Sequence, residues 1–209
     1  MLVSLKIRNN TLACVPSEIF SLEALALLDL SGNALVELPH EVGGAASLQS
    51  LLLAGNRLRA LPELLGSLAA LEALHIDNNA LHILPESIGS LRQLSKLTVA
   101  GNDLGSLPDS LGSLGLLSLL DVSKNRLSTM PEGLSRLTRL TVLDARENQL
   151  TEFPPLPGGG ALAQVSLGFN SLNSVVKAAL LRVSGGLTEL HLQRFHIAPT
   201  RPGGNMEPV

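Results

Sequence analysis

Asparagine recurs on a fixed beat. Asn10, Asn33, Asn56, Asn79, Asn102, Asn125 and Asn148 stand 23 residues apart, and Asn170 follows after 22. Proline keeps the same interval at Pro16, Pro39, Pro62, Pro85, Pro108, Pro131 and Pro154. Two residue types held in one register over so many copies leave few folds open, because each copy must do the same structural job. One such unit is too short to bury an apolar face alone, so neighbouring copies must stack and share a core. The chain is therefore expected to be a solenoid with one turn per repeat.

The residues around each asparagine say how a turn is built. The frame is L-x-x-L-x-L-x-x-N-x-L, as in Leu25, Leu28, Leu30, Asn33, Leu35 and again in Leu71, Leu74, Ile76, Asn79, Leu81. This frame is why 49 of the 209 residues are leucine. Its last two leucines are two apart, the period of a strand, so Leu51 and Leu53 point inward while Leu52 points out. Stacking one such strand per turn builds a parallel sheet. The asparagine amide carries two donors and an acceptor, enough to satisfy backbone groups where the chain leaves the sheet. The whole ladder, Asn10 through Asn170, is structural on this argument. The return half reads L-P-x-x-L-G-x-L. Its proline suits the first position of a short helical turn. The acids Glu18, Glu41, Glu63, Glu86, Asp109 and Glu132 favour the positive end of that turn. Gly43, Gly66, Gly89 and Gly112 are expected to let it end and turn back. The expected fold is an α/β leucine-rich repeat solenoid, a horseshoe with a parallel concave sheet and short helical or irregular convex segments.

The full pattern, matched from about residue 2 to 154, resembles the intracellular Ras-group type of leucine-rich repeat. That resemblance implies turns of this length without cysteine caps, a scaffold or regulatory role in signalling, and a cytoplasmic location. The closing segment, Phe153-Pro154-Pro155-Leu156 and then Leu167-Gly168-Phe169-Asn170-Ser171-Leu172, is similar to the end of one longer member of the group.

Departures from the frame mark the ends. About eight repeats are expected over residues 1–173. Pro154, Pro155, Pro157 and Gly158 to Gly160 replace one helical stretch, which predicts an extended or irregular turn there. Residues 174–197 are expected to form a capping segment, opened by a helix that Ser174 caps and Gly185-Gly186 end. Within it, Leu187, Leu190 and Leu192 fit either a ninth strand or a terminal helix. Residues 198–209 have little to bury and read as a disordered tail. At the other end Leu2, Leu5 and Ile7 enter a full repeat with no polar cap. Either the chain is a piece of a longer protein, or this edge pairs with another chain by self-association.

In such a solenoid the strand face is the surface left open for function. Its outward positions include Leu27, Asp29, Leu52, His75, Asp77, Lys96, Thr98, Leu119, Asp121, Val142, Asp144 and Arg146. Leu27 with Leu52, and Leu119 with Val142, form two apolar patches. Asp121 and Asp144 are column neighbours about 5 Å apart. Apolar anchors ringed by charges suit a protein partner, whose identity the sequence does not give.

Chemistry and other ligands fare worse. Lys+Arg 15 against Asp+Glu 18 gives net −3 with no basic run, which argues against nucleic acid. No run of about 18 apolar residues supports membrane insertion. A single cysteine, Cys14, excludes an internal disulfide and fits a reducing compartment. Cys14 has only His40, on a convex turn, as a nearby candidate base. His75 and His82 lie on opposite sides of one turn, and His191 and His196 lack cysteine or carboxylate company in metal spacing. Gly158-Gly159-Gly160 precedes no G-K-S/T and is no phosphate cradle. The expectation is a binding protein, not an enzyme, with no cofactor and no metal.

Overall fold

The computed structural model describes residues 1–157, 161–172 and 187–193. Among these described residues nine short strands run in chain order through one parallel sheet: β1 (Ser4–Lys6), β2 (Leu27–Asp29), β3 (Ser50–Leu52), β4 (Ala73–His75), β5 (Lys96–Thr98), β6 (Leu119–Asp121), β7 (Val142–Asp144), β8 (Gln164–Ser166) and β9 (Glu189–His191). Each pairs only with its sequence neighbours, so the sheet stays open, as a stack of identical turns requires. The register never slips: Leu28, Leu51, Leu74, Leu97, Leu120 and Leu143 stand opposite one another and are fully buried. Leu52 between two buried leucines is half-buried on the open face, as the two-residue period demands.

The ladder works as a bridge between turns. The Asn125 Oδ1 accepts the Leu104 N–H of the preceding turn at 3.0 Å. Its Nδ2 donates to Val99 O of that turn and to Val122 O of its own, both at 3.0 Å. Asn56, Asn102, Asn148 and Asn170 repeat the pattern. Asn10, in the first turn, is exposed and donates to Arg8 O. The residue before each ladder asparagine is left-handed: Asn9, Gly32, Gly55, Asn78, Gly101, Lys124, Glu147 and Phe169 all have φ between 54 and 68°.

The return segments are five-residue 3-10 helices, Ser17–Ser21, His40–Gly44, Glu63–Ser67, Glu86–Ser90, Asp109–Ser113 and Glu132–Arg136. Each has an acid in its first turn. Two local expectations need correcting. The prolines sit one position earlier than expected, as N-caps: Pro85, at φ −66° and ψ 147°, is extended and its carbonyl accepts the Ile88 N–H. The repeat glycines are not helix ends either. A Cβ on Gly66 would lie 2.5 Å from Ser87 O, and one on Gly89 2.5 Å from Ser110 O. Glycine is needed there because consecutive 3-10 helices stack backbone against backbone.

Past β7 the frame loosens as the sequence implied. Phe153 to Pro157 has no regular structure. Of the two readings of the last leucine-rich segment, the strand is the one formed, at Glu189–His191: β9 pairs with β8 in register, and Leu187, Leu190 and Leu192 pack against the core. The helix expected over 174–183, and the tail from 198, lie outside the described residues. At the opposite edge Leu2 and Val3 are about half exposed beside β1.

Candidate functional site

The strand face collects every residue singled out for it. Columns follow from the register: Leu27, Lys96, Leu119 and Val142 lie in one, and Asp29, Leu52, His75, Thr98, Asp121 and Asp144 in the next. Asp77 and Arg146 follow β4 and β7 in a third. Leu27, Leu52, Leu119 and Val142 are half-buried, while Lys96 and Arg146 are exposed. Asp29 departs from expectation. Only 5% of it is exposed, and its Oδ1 accepts the Ser31 N–H at 3.0 Å. It closes the strand end and offers little to a partner.

The same bond recurs at the acidic pair. Asp121 Oδ1 accepts Ser123 N–H at 2.9 Å, and Asp144 Oδ1 accepts Arg146 N–H at 3.1 Å. Both carboxylates thus hold the turn with one oxygen. They stand directly opposite across β6 and β7, next to the equally paired Leu119 and Val142. The Arg146 guanidinium reaches Asp144 Oδ2 at 2.9 Å. Asp144 therefore stands between the Arg146 guanidinium and the Asp121 carboxylate. Burial, with Asp121 adding to it, pushes the Asp144 carboxyl above the usual carboxylate range, against the pull of Arg146.

One cluster was not foreseen. Thr98 Oγ1 donates to Asp77 Oδ2, whose other oxygen takes the Ala100 N–H at 2.9 Å. With its only hydrogen given to the carboxylate, the threonine can do no more than accept from His75 Nδ1, 2.9 Å away. The proton of neutral His75 is therefore placed on Nδ1, leaving Nε2 to accept from outside. The signal was in the spacing: residues 75 and 98 are one period apart, so they share a column. A second pairing lies at the far end of the sheet: His191 Nε2 is 3.3 Å from Glu189 Oε2, a single carboxylate and no metal-ligand set. The Gln164 side-chain amide, and then His191, hold the exposed Glu189 carboxyl below its usual range.

Cys14 is an exposed free thiol. Among the described residues no three His, Cys, Asp or Glu side chains converge as a metal site would require. Among the same residues no helix is long and apolar enough to cross a membrane.

Two family models match. A leucine-rich repeat region covers residues 43–152, and a leucine rich repeat covers 1–58. No curated protein matches the chain. Among solved structures, a leucine-rich repeat protein of Leptospira interrogans is 28% identical over 93% of this chain and 55% of its own, with a TM-score of 0.70. YopM from Yersinia enterocolitica is 28% identical over 96% of this chain and 40% of its own, TM-score 0.73. The Arabidopsis receptor kinase HAESA, solved with the peptide hormone IDA and the co-receptor SERK1, is 28% identical over 92% and 34%, TM-score 0.77. The chain thus spans between 34 and 55% of the length of these three. Solenoids of this kind commonly serve as protein-binding scaffolds. With the repeat frame, the asparagine ladder, the open parallel sheet and a family model spanning more than half its length, the chain belongs to the leucine-rich repeat family.

Proposed function

We propose that this chain is a protein-interaction scaffold or adaptor of intracellular signalling that takes its partner on the concave strand face. The contact centres on Leu119 and Val142, with Asp121, Asp144 and Arg146 around them. The observation that carries this is the side-by-side pairing of two apolar and two acidic residues across β6 and β7, with Asp144 ionised at a cost. A partner that brings an aliphatic side chain and a Lys or Arg would cover the first pair and neutralise the second. His75 Nε2 adds an acceptor two strands away for a donor of the same partner. Lys96, Thr98 and Asp77 complete that flank, and Leu27 and Leu52 offer a second apolar contact. Support also comes from HAESA, which is seen with a peptide hormone and a co-receptor.

A cytoplasmic location is supported by the exposed thiol of Cys14 and by the Ras-group likeness of the repeats. The closing segment's likeness to the end of leucine-rich repeat-containing protein 40 belongs to the same proposal. So does the division into repeats over 1–173 and a closing cap, with β9 part of that cap. Self-association through the open edge of β1 is the further expectation for partners. A second reading, a recognition segment of a larger enzyme or regulator, is favoured by one fact: the chain spans about a third of a receptor kinase it matches.

The test uses Asp121→Asn with Asp144→Asn. Asparagine keeps the turn-closing acceptor, whereas lysine would remove it. Against a partner captured with the wild-type chain, calorimetry should show binding weakened by about 2 kcal/mol, roughly thirtyfold. Unchanged affinity in a folded variant sinks the site.

A further inference from the structure

A depression lies on the opposite side, against the 3-10 helices Ser17–Ser21 and His40–Gly44. It is an open groove of about 550 Å³ with a mostly apolar lining. Its origin is a break in the repeat pattern. Where later turns end their 3-10 helix in Ser67-Leu68, Ser90-Leu91 and Ser113-Leu114, this one ends in Gly44-Ala45. The hydroxymethyl group is missing at Gly44, which lines the groove, while Ala45 is buried in the core. The preceding turn departs too, with Phe20 where its successors carry Gly43, Gly66, Gly89 and Gly112. The Phe20 ring is buried and lines the floor, and Leu64, about half exposed, forms a wall.

The charges on this groove are of one sign. Glu18 and Glu41 line it and are exposed, no Lys or Arg does, and the one cationic candidate, His40, lies 3.5 Å from Glu41. An apolar hollow edged by carboxylates fits an aliphatic side chain flanked by basic residues. We infer that this groove is a second docking site, separate from the strand face, for a basic segment of a protein partner that inserts one aliphatic residue over Phe20 between Glu18 and Glu41.

The probe is a capped hexapeptide of alternating leucine and lysine, titrated into the isotope-labelled chain by amide NMR, with the leucine–glutamate hexapeptide as its opposite. The expected shifts fall on Ser17–Ser21 and His40–Gly44. Affinity should drop at least tenfold in Glu18→Lys with Glu41→Lys, both exposed and so compatible with folding. Gly44→Leu should do the same by filling the groove. Its backbone is not left-handed, and an added Cβ meets nothing nearer than Phe20 O at 3.5 Å. Shifts confined to the strand face, equal binding by the glutamate peptide, or full affinity in the folded variants would each overturn the inference. So would a dimer in sedimentation that these variants dissolve, which would make a second copy the occupant. Loss of this site would leave the Asp121 and Asp144 result untouched.

Discussion

Asp144 combines two duties that pull against each other. Its Oδ1 closes the strand end by taking the Arg146 N–H, while burial and the facing Asp121 raise the cost of its charge. A carboxyl whose folded pKa lies above its unfolded value binds its proton more tightly when folded. Stability therefore falls as pH rises through that window, and the whole cost is present at neutral pH. Asp144→Asn should be at least as stable as wild type at pH 7, and its advantage should vanish as the pH is lowered below the carboxylate range. Urea midpoints at several pH values measure this. A variant less stable at pH 7, with the gap closing in acid, would mean that the Arg146 pair outweighs burial. Other residues hold a purely structural strain: Lys124 and Glu147 take the left-handed position that Gly32, Gly55 and Gly101 fill without a Cβ.

At the scale of the turn, stability comes from groups shared between copies. Asn125 satisfies one N–H and two carbonyls of two adjacent turns, so Asn125→Ala strands buried backbone groups and should cost roughly 1–3 kcal/mol in denaturant unfolding. An unchanged midpoint would remove the ladder's role. The strand, the ladder and the inward leucines were legible because each rests on a period, either two residues or one whole turn. The roles of proline and glycine were less so. Both residues have several uses, and only the stacking of one 3-10 helix on the next shows that Gly66 and Gly89 are there for lack of room rather than for a left-handed turn. The ninth strand was one of two readings because Phe195 stands where the frame puts asparagine, while the pairing of β9 depends on β8 being there to receive it.

For the molecule as a whole, columns could be written down from the period, so the facing of Asp121 and Asp144 was readable in advance. What the period could not show is how far each outward side chain is covered. Asp29 and Asp121 occupy equivalent places and make the same turn-closing bond, yet one is nearly covered and the other half-open. The convex groove was equally hidden, since it lies where Gly44 lacks the side chain that serine gives the later turns. The strand face as the main binding surface is tested most directly by photo-crosslinking in the complex with the captured partner. A benzophenone side chain at Val142, half-buried on that face, should crosslink the partner in high yield, while the same group at the exposed Arg92, just past the 3-10 helix Glu86–Ser90, should give none. Crosslinking from Arg92 with none from Val142 would contradict it and move the function to the outer surface.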